Sequence, residues 1–237
     1  MEISPDADIF WQWKWIKLNA TIVNTWIVMA LLVVISFLAT RKISYTSVTK
    51  IPRLQNFLET LIGYIREQIK EITGQDPRPY IPFLGTLFMY LALANFLSFV
   101  PFYEPPTGSL STTTALALCV FFAVPIYGIM RQGLLGYLKH YIRPSPFMLP
   151  FQIIGEVSRT LALAVRLFGN MMSGTLIVGI LLSVTPFFVP IIMHALGLLI
   201  GQIQAYIFVV LATIYIASAS RTQVAKNKEE NKEKSHG

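Results

Sequence analysis

Apolar residues in this chain gather into long uncharged runs, and short polar segments separate them. The first run, 20–40, has about the length a helix needs to cross the hydrocarbon of a bilayer, and Arg41 and Lys42 end it. Two more follow at 80–100 and 112–130, separated by the connection FYEPPTGSLS, which carries no Lys or Arg. Residues 51–73 have a different rhythm. Ile51, Leu54, Leu58, Leu61, Ile62, Ile65, Ile69 and Ile72 recur at helical spacing, while Arg53, Glu59, Arg66, Glu67, Lys70 and Glu71 fill the other face. That pattern predicts a helix lying on the membrane, broken by Pro77, Pro79 and Pro82. The last runs, 147–184 and 187–220, are the longest, and as continuous helices each would reach roughly 50 Å against a hydrocarbon core of about 30 Å. Their prolines, Pro150 and Pro190, lie near their starts, so steep tilt is expected rather than a break into hairpins. The predicted fold is an all-α membrane protein with five transmembrane helices and one interfacial amphipathic helix.

Composition sharpens this picture. Of 237 residues, 54% are hydrophobic and 13% charged, as several spans require. The net charge of +7 would suit nucleic acid, but the basic residues sit in short segments between apolar runs, and a nucleic-acid partner is not expected. Seven Lys/Arg lie in 41–79 and three in 131–145, against none in 103–111 or 185–190. The positive-inside rule then puts the N-terminus outside and the C-terminus in the cytoplasm, with Lys14 and Lys17 the only opposing residues. Residues 1–18 interleave Trp11, Trp13 and Trp15 with these lysines, a pattern suited to the headgroup region, and their acidic start lacks a signal peptide's basic n-region. The tail 221–237, RTQVAKNKEENKEKSHG, is charged enough to be expected disordered. A single cysteine, Cys119, provides neither a disulfide framework nor a metal cluster, and no metal or cofactor is expected.

Candidate chemistry centres on SRTLALAVRLFGNMMSG, residues 158–174, which sets Arg159 and Arg166 inside an apolar helical run. A guanidinium keeps its charge at any reachable pH, and at a bilayer centre it costs about 2.5–3.5 kcal/mol on insertion scales. Arg166 is either held by carbonyls to fix helix packing or marks an ion or substrate path; intramembrane charges favour the second. If the last two spans turn near Thr185 and Pro186, Arg166 and Gln204 lie equally far from the turn, and the amide oxygen can hold the guanidinium without neutralising it. Asn170, one turn beyond Arg166, joins the same face. Gly197, Gly201 and Ala205 form a small-residue stripe that reads equally well as close helix packing. Glu156, three residues before Arg159, makes either a local ion pair or part of an access path.

The string RLFGNM at Arg166 to Met171 resembles the signature of subunit a of the rotary F-type ATP synthases. PTGSLSTTTALAL at 106–118 is similar to the start of that family's fourth helix, Asn95 and Pro101 match positions in its third, and IQAYIFVVLATIYIASAS at 203–220 resembles its last, with Gln204 at the family's glutamine. Glu156 and Arg159 also match the family's usual carboxylate and basic residue. The resemblance implies an ion-conducting stator subunit of the F0 sector, with Arg166 as the essential charge facing a carboxylate on the c-ring. It implies c-ring proteolipids and subunit b as partners, the F1 head indirectly, and a multi-pass location in the cell inner membrane. On this reading residues 1–18 are an outer interfacial segment and 19–220 the membrane domain, with the ion-conducting hairpin at 147–220 and a cytoplasmic tail at 221–237. Asn95, Ser98, Glu156, Arg159, Asn170, Thr175, His194 and Gln204 are the candidate ion-path residues, and protons the expected ion.

Three positions depart from the family's proton-driven pattern. Thr175 stands where many members have glutamate, Gly197 where the paired histidine falls, and Ser98 where some have aspartate. Sodium is therefore the alternative ion. His194, the one intramembrane histidine, is either an ordinary interfacial residue or takes over part of the missing relay with Thr175. A self-contained secondary transporter is the competing class, weakened by the lack of an evident internal repeat. The chain has no GxxxxGK[ST] motif, HExxH or Ser/Lys dyad, so it is not expected to act as an enzyme by itself.

Overall fold

A computed structural model of the chain describes residues 9–13, 16–40, 53–100, 103, 105–142, 149–184 and 189–234. Its elements are a two-stranded antiparallel hairpin, β1 (Ile9–Trp13) and β2 (Ile16–Asn19), then α1 (Ala20–Thr40), α2 (Arg53–Thr73), α3 (Ile81–Leu97), a 3₁₀ turn (Pro106–Gly108), α4 (Leu110–Ile142), α5 (Leu149–Val184) and α6 (Val189–Lys234). The membrane domain is all α-helical, as the apolar runs predict. Four helices are long and apolar enough to cross a bilayer, and the 17-residue α3 is a shorter apolar fifth. The hairpin is an addition, because headgroup-seeking residues alone did not specify a strand pair.

α6 is the hub, packed against α2, α3, α4 and α5. Its buried side, Gly201, Ala205, Phe208, Ala212 and Ile216, alternates small and large residues at helical spacing. In a bilayer, lipid tails remove most of the hydrophobic drive between helices, so close approach over small residues supplies the packing instead. α3 answers with Leu84, Leu87, Leu91 and Ala94, and α5 with Leu163, Ala164 and Leu167. The outer sides of α1 and α4 remain apolar and open, at Val33, Phe37, Phe122 and Met130 among others, as expected of surfaces that meet lipid.

The amphipathic helix forms at 53–73, but its apolar stripe is only partly free for a membrane surface. Ile65 and Ile69 are buried, and Tyr206 of α6 donates a 2.8 Å hydrogen bond to Gln68 Oε1. Gly74 ends it at φ +66°, donating its N–H to the Lys70 carbonyl at 2.9 Å, a left-handed cap that glycine adopts without strain. Beyond it Tyr80 is buried beneath Tyr127 and the Arg131 guanidinium, which lies 5.6 Å from the Tyr80 ring centre.

Two boundaries differ from expectation. The third span continues past Arg131 to Ile142, interrupted at Gly133, whose φ of +71° and ψ of 162° break the helix where the sequence pattern placed only a loop. The tail is a helix through Lys234 rather than disordered. Its Ala, Gln, Lys, Arg and Glu are strong helix formers, and Glu230 and Lys234 have the favourable i,i+4 order, so α6 has reason to propagate. α5 and α6 are continuous, at 36 and 46 residues, so the alternative of broken hairpins is not what forms. The expected turn at Thr185 and Pro186 lies outside the described residues.

Candidate functional site

The site is built on the antiparallel pair α5 and α6, and two contacts fix their register. Asn170 Nδ2 donates to Gln204 Oε1 at 2.7 Å, and the Arg159 guanidinium lies 5.7 Å from the centre of the Tyr215 ring. Both pairs are symmetric about position 187, and eleven residues, or about three turns, separate them on each helix. The sequence reading centred the pair on Thr185 and so faced Gln204 with Arg166. The register is displaced by one turn, because α5 ends at Val184 and α6 begins only at Val189. Gln204, 3% exposed, is thus engaged by Asn170 and not by the arginine.

Arg166 sits at the midpoint of the 34-residue apolar stretch Pro150–Ser183. Its side chain is exposed on the side of α5 that the bundle leaves open, amid the exposed apolar residues Leu161, Val165 and Ile177. Among the described residues it has no ion pair and no hydrogen-bond partner. The expected holding carbonyl is absent there, and a permanent charge is presented laterally at mid-bilayer depth. Such a group needs a partner or water outside this chain.

Arg159 is differently placed. Its Nη1 lies 3.1 Å from Glu156 Oε1, so the local ion pair forms, and the guanidinium is stacked on α6 through Tyr215. The pair is half open to its surroundings, 50% and 23% exposed, which keeps its contribution within the small range of accessible ion pairs. Tyr215 was not singled out from sequence. Only a pairing centred on position 187 rather than on Thr185 sets it opposite Arg159.

Asn95 is 1% exposed and bonded at both ends of its amide: Nδ2 donates to the Gly201 carbonyl at 2.6 Å, and Oδ1 accepts from Thr107 at 3.3 Å. It ties α3, the 3₁₀ turn and α6 together three residues from Gln204. Ser98 caps α3 by donating to the Asn95 carbonyl at 2.6 Å. Gln202 adds a second strap from α6 to the Ala92 carbonyl at 2.9 Å, another residue that sequence reasoning missed. In the small-residue stripe, Gly201 and Ala205 are buried, and Gly201 meets Asn95 of α3 rather than α5; Gly197 meets nothing within 4 Å. Thr175 is exposed and bonds only back to the Met172 carbonyl, and His194 is exposed on α6. With the register centred on 187, Thr175 faces position 199 and His194 faces position 180, so the structure does not bring them together.

These observations define a class: a polytopic membrane protein whose helix hairpin carries an unpaired cation outward at mid-membrane, beside an amide pair that joins the two helices. Residues 22–217 match the model of the ATP synthase A chain family, and the chain belongs to that family, subunit a of the F-type ATP synthases. It is 58% identical to ATP synthase subunit a 2 of Acaryochloris marina over 237 residues, all of both chains. It is 59% identical to ATP synthase subunit a of Albidiferax ferrireducens over 226 residues, 95% of this chain and 97% of that one. A further relative, ATP synthase subunit a 2 of Picosynechococcus, is 57% identical over 226 residues, 95% and 96% of the two chains. The chain is therefore a multi-pass membrane subunit of the ATP synthase complex.

Proposed function

We propose that this subunit is the ion-translocating stator of the F0 sector, passing ions through two offset half-channels to and from carboxylates on a ring of c subunits. The observation that carries the reading is Arg166, an exposed, unpaired guanidinium at the midpoint of α5. A ring carboxylate brought beside it is held ionised, because a nearby opposite charge lowers a carboxyl pKa, and its ion leaves into one half-channel. Rotation away from Arg166 lets the carboxylate reload from the other. The same fixed charge blocks a direct leak. The open apolar face around it suits packed ring helices, while subunit b and, through it, the F1 head complete the stator. The loop charges orient the N-terminus outside and the C-terminal helix into the cytoplasm of a cell whose inner membrane holds the complex.

Protons are the ion expected from the sequence. One observation favours sodium: between Glu156 and Glu229 the chain has no Asp or Glu, and Asn170, Gln204, Ser173, Thr175 and Ser183 provide neutral oxygens instead. Neutral oxygens suit a hard cation better than a proton relay. ATP-driven pumping into inverted vesicles tests both readings. Arg166→Ala should abolish pumping with the complex assembled, and Arg166→Lys should nearly do so, since lysine lacks the planar fork and loses its proton when desolvated. Wild-type pumping by Arg166→Ala would overturn the assignment, and the dependence of wild-type pumping on added sodium decides the ion.

A further inference from the structure

The polar side of α2 is left open by the bundle. Ile65 and Ile69 pack inward and Gln68 is tied to Tyr206, while the opposite side, together with the Gly74–Pro77 corner, walls an open cavity of about 660 Å³. Arg66, Glu67, Lys70 and Asp76 line it, two cations and two carboxylates. Arg66 and Lys70, four residues apart, project from one side of the helix. Glu67 and Lys70 have the same three-residue spacing that pairs Glu156 with Arg159, yet among the described residues no ion pair joins any of these four. Asp76 commits one oxygen, Oδ1, to the Arg78 N–H at 3.1 Å, which leaves Oδ2 to the cavity. Opposite charges thus share one cavity without neutralising each other.

The cavity also has a definite level. The carbonyl of Pro77, one of its lining residues, accepts the N–H groups of Tyr80 and Ile81 at 3.0 and 3.1 Å where α3 begins, and Tyr80 lies under Arg131, the last residue of the apolar stretch Leu110–Arg131. Two spans reach polar surroundings here, which is where lipid headgroups lie. Apolar surface continues beside it: Ile62, one turn before Arg66 on the same side of α2, is 45% exposed. The volume is that of a small-molecule site. A phosphodiester suits the two cations, since a guanidinium forks onto phosphate oxygens and an ammonium meets them as a point charge. The carboxylates disfavour a ligand with negative charge alone and suit a primary ammonium, which has three N–H donors. A headgroup carrying both groups matches all four residues.

We propose that this cavity binds the headgroup of a phosphatidylethanolamine, with its phosphate against Arg66 and Lys70, its ammonium against Glu67 and Asp76, and its chains over Ile62. The bound lipid holds the corner between α2 and α3 at the membrane surface and so keeps α2 seated on Tyr206. The site belongs to the chain as a membrane subunit. It depends neither on the ion-translocating reading nor on which ion is carried.

The test uses the assembled ATP synthase in bilayers doped with phosphatidylethanolamine, phosphatidylglycerol or phosphatidylcholine carrying a photoactivatable group on one chain, and reads crosslinks to the peptide around Ile62. The ethanolamine probe should label it about ten-fold more than the other two, the order of one charge-assisted hydrogen bond, because choline has no N–H and glycerol no cation. Arg66→Gln/Lys70→Gln should lower that labelling about ten-fold or more, and Glu67→Gln/Asp76→Asn should abolish the preference over choline. Gly63→Phe fills the cavity from a wall position where an added Cβ meets nothing within 4 Å, and should lose the labelling that Gly63→Ala keeps. If the charge variants do not assemble, the Gly63 pair decides. Equal labelling by the three probes, or unchanged labelling in Gly63→Phe, would overturn the proposal. So would displacement of the probe by millimolar glycerophosphoethanolamine, the same headgroup without chains, which would give the cavity to a soluble phosphoester.

Discussion

The contact between Asn95 and Gly201 offers a sharp test of how α3 holds α6. A Cβ added at Gly201 would lie 3.2 Å from Asn95 Cβ, 3.3 Å from Cγ and 3.4 Å from Nδ2, all on a side chain pinned by two hydrogen bonds. Asn95 cannot yield without stretching the 2.6 Å bond to the Gly201 carbonyl, so Gly201→Ala should cost about 1–3 kcal/mol, the range for overpacking a filled interior. Gly197→Ala is the internal control. It is one turn away on the same helix, meets nothing within 4 Å, and should be neutral or slightly stabilising through helix propensity. Asn95→Ala removes the obstruction but also an interhelical bond worth about 0.6–1.7 kcal/mol in membrane proteins. The double variant should therefore be less destabilised than the sum of the singles, a coupling of about 0.5–3 kcal/mol. Thermal or SDS unfolding of the purified complex, followed on this subunit, reads all four states. Equal stabilities for Gly201→Ala and Gly197→Ala, or strict additivity with Asn95→Ala, would refute the close-contact account.

Other outcomes follow from single contacts. Tyr215→Leu should free the Arg159 guanidinium from α6 at a cost of about 0.5–1 kcal/mol, while Tyr215→Phe keeps the ring and should behave as wild type; equal losses in the two variants would point to the hydroxyl instead. Tyr206→Phe removes the 2.8 Å bond to Gln68 and should loosen α2 from α6 by about 0.5–1.5 kcal/mol, read as faster amide exchange over 61–73 with the spans unchanged. Gly133→Ala forces a Cβ into φ +71° and should destabilise the end of α4 by roughly 1 kcal/mol or more, and an unchanged melting profile would contradict the helix break.

What the sequence made legible was whatever depends on one helix at a time. Uncharged length located α1, α3, α5 and the start of α6, and the 3.6-residue rhythm located α2, because both signals are local. Relations between helices were harder. The antiparallel pairing of α5 with α6 followed from chain order, but a two-residue error in its centre moved every cross-helix partner by a full turn, handing Gln204 to Arg166 instead of Asn170. Asn95 illustrates another limit. The family resemblance placed it on an ion path, while its bonds to Gly201 and Thr107 link positions 106 and 12 residues away, which no spacing rule reveals. The tail misled because charge density argues for disorder only where no helix is already there to extend, and α6 supplies one.

The register also bears on His194. The sequence reading let His194 and Thr175 act as a relay because a centre at Thr185 sets Thr175 opposite position 195. A centre at 187 moves that partner to position 199, five residues and about 7 Å along the axis from His194. Thr175 is moreover occupied with the Met172 carbonyl at 2.9 Å, so a proton would have to cross the gap on water alone. The neutral oxygens of Asn170 and Gln204 lie deeper on the same hairpin. His194→Gln is therefore expected to pump at close to the wild-type rate across outer pH 6–8, with any sodium dependence intact. Loss of pumping together with a shifted pH profile in both His194→Gln and His194→Ala would restore the relay and return the balance to protons.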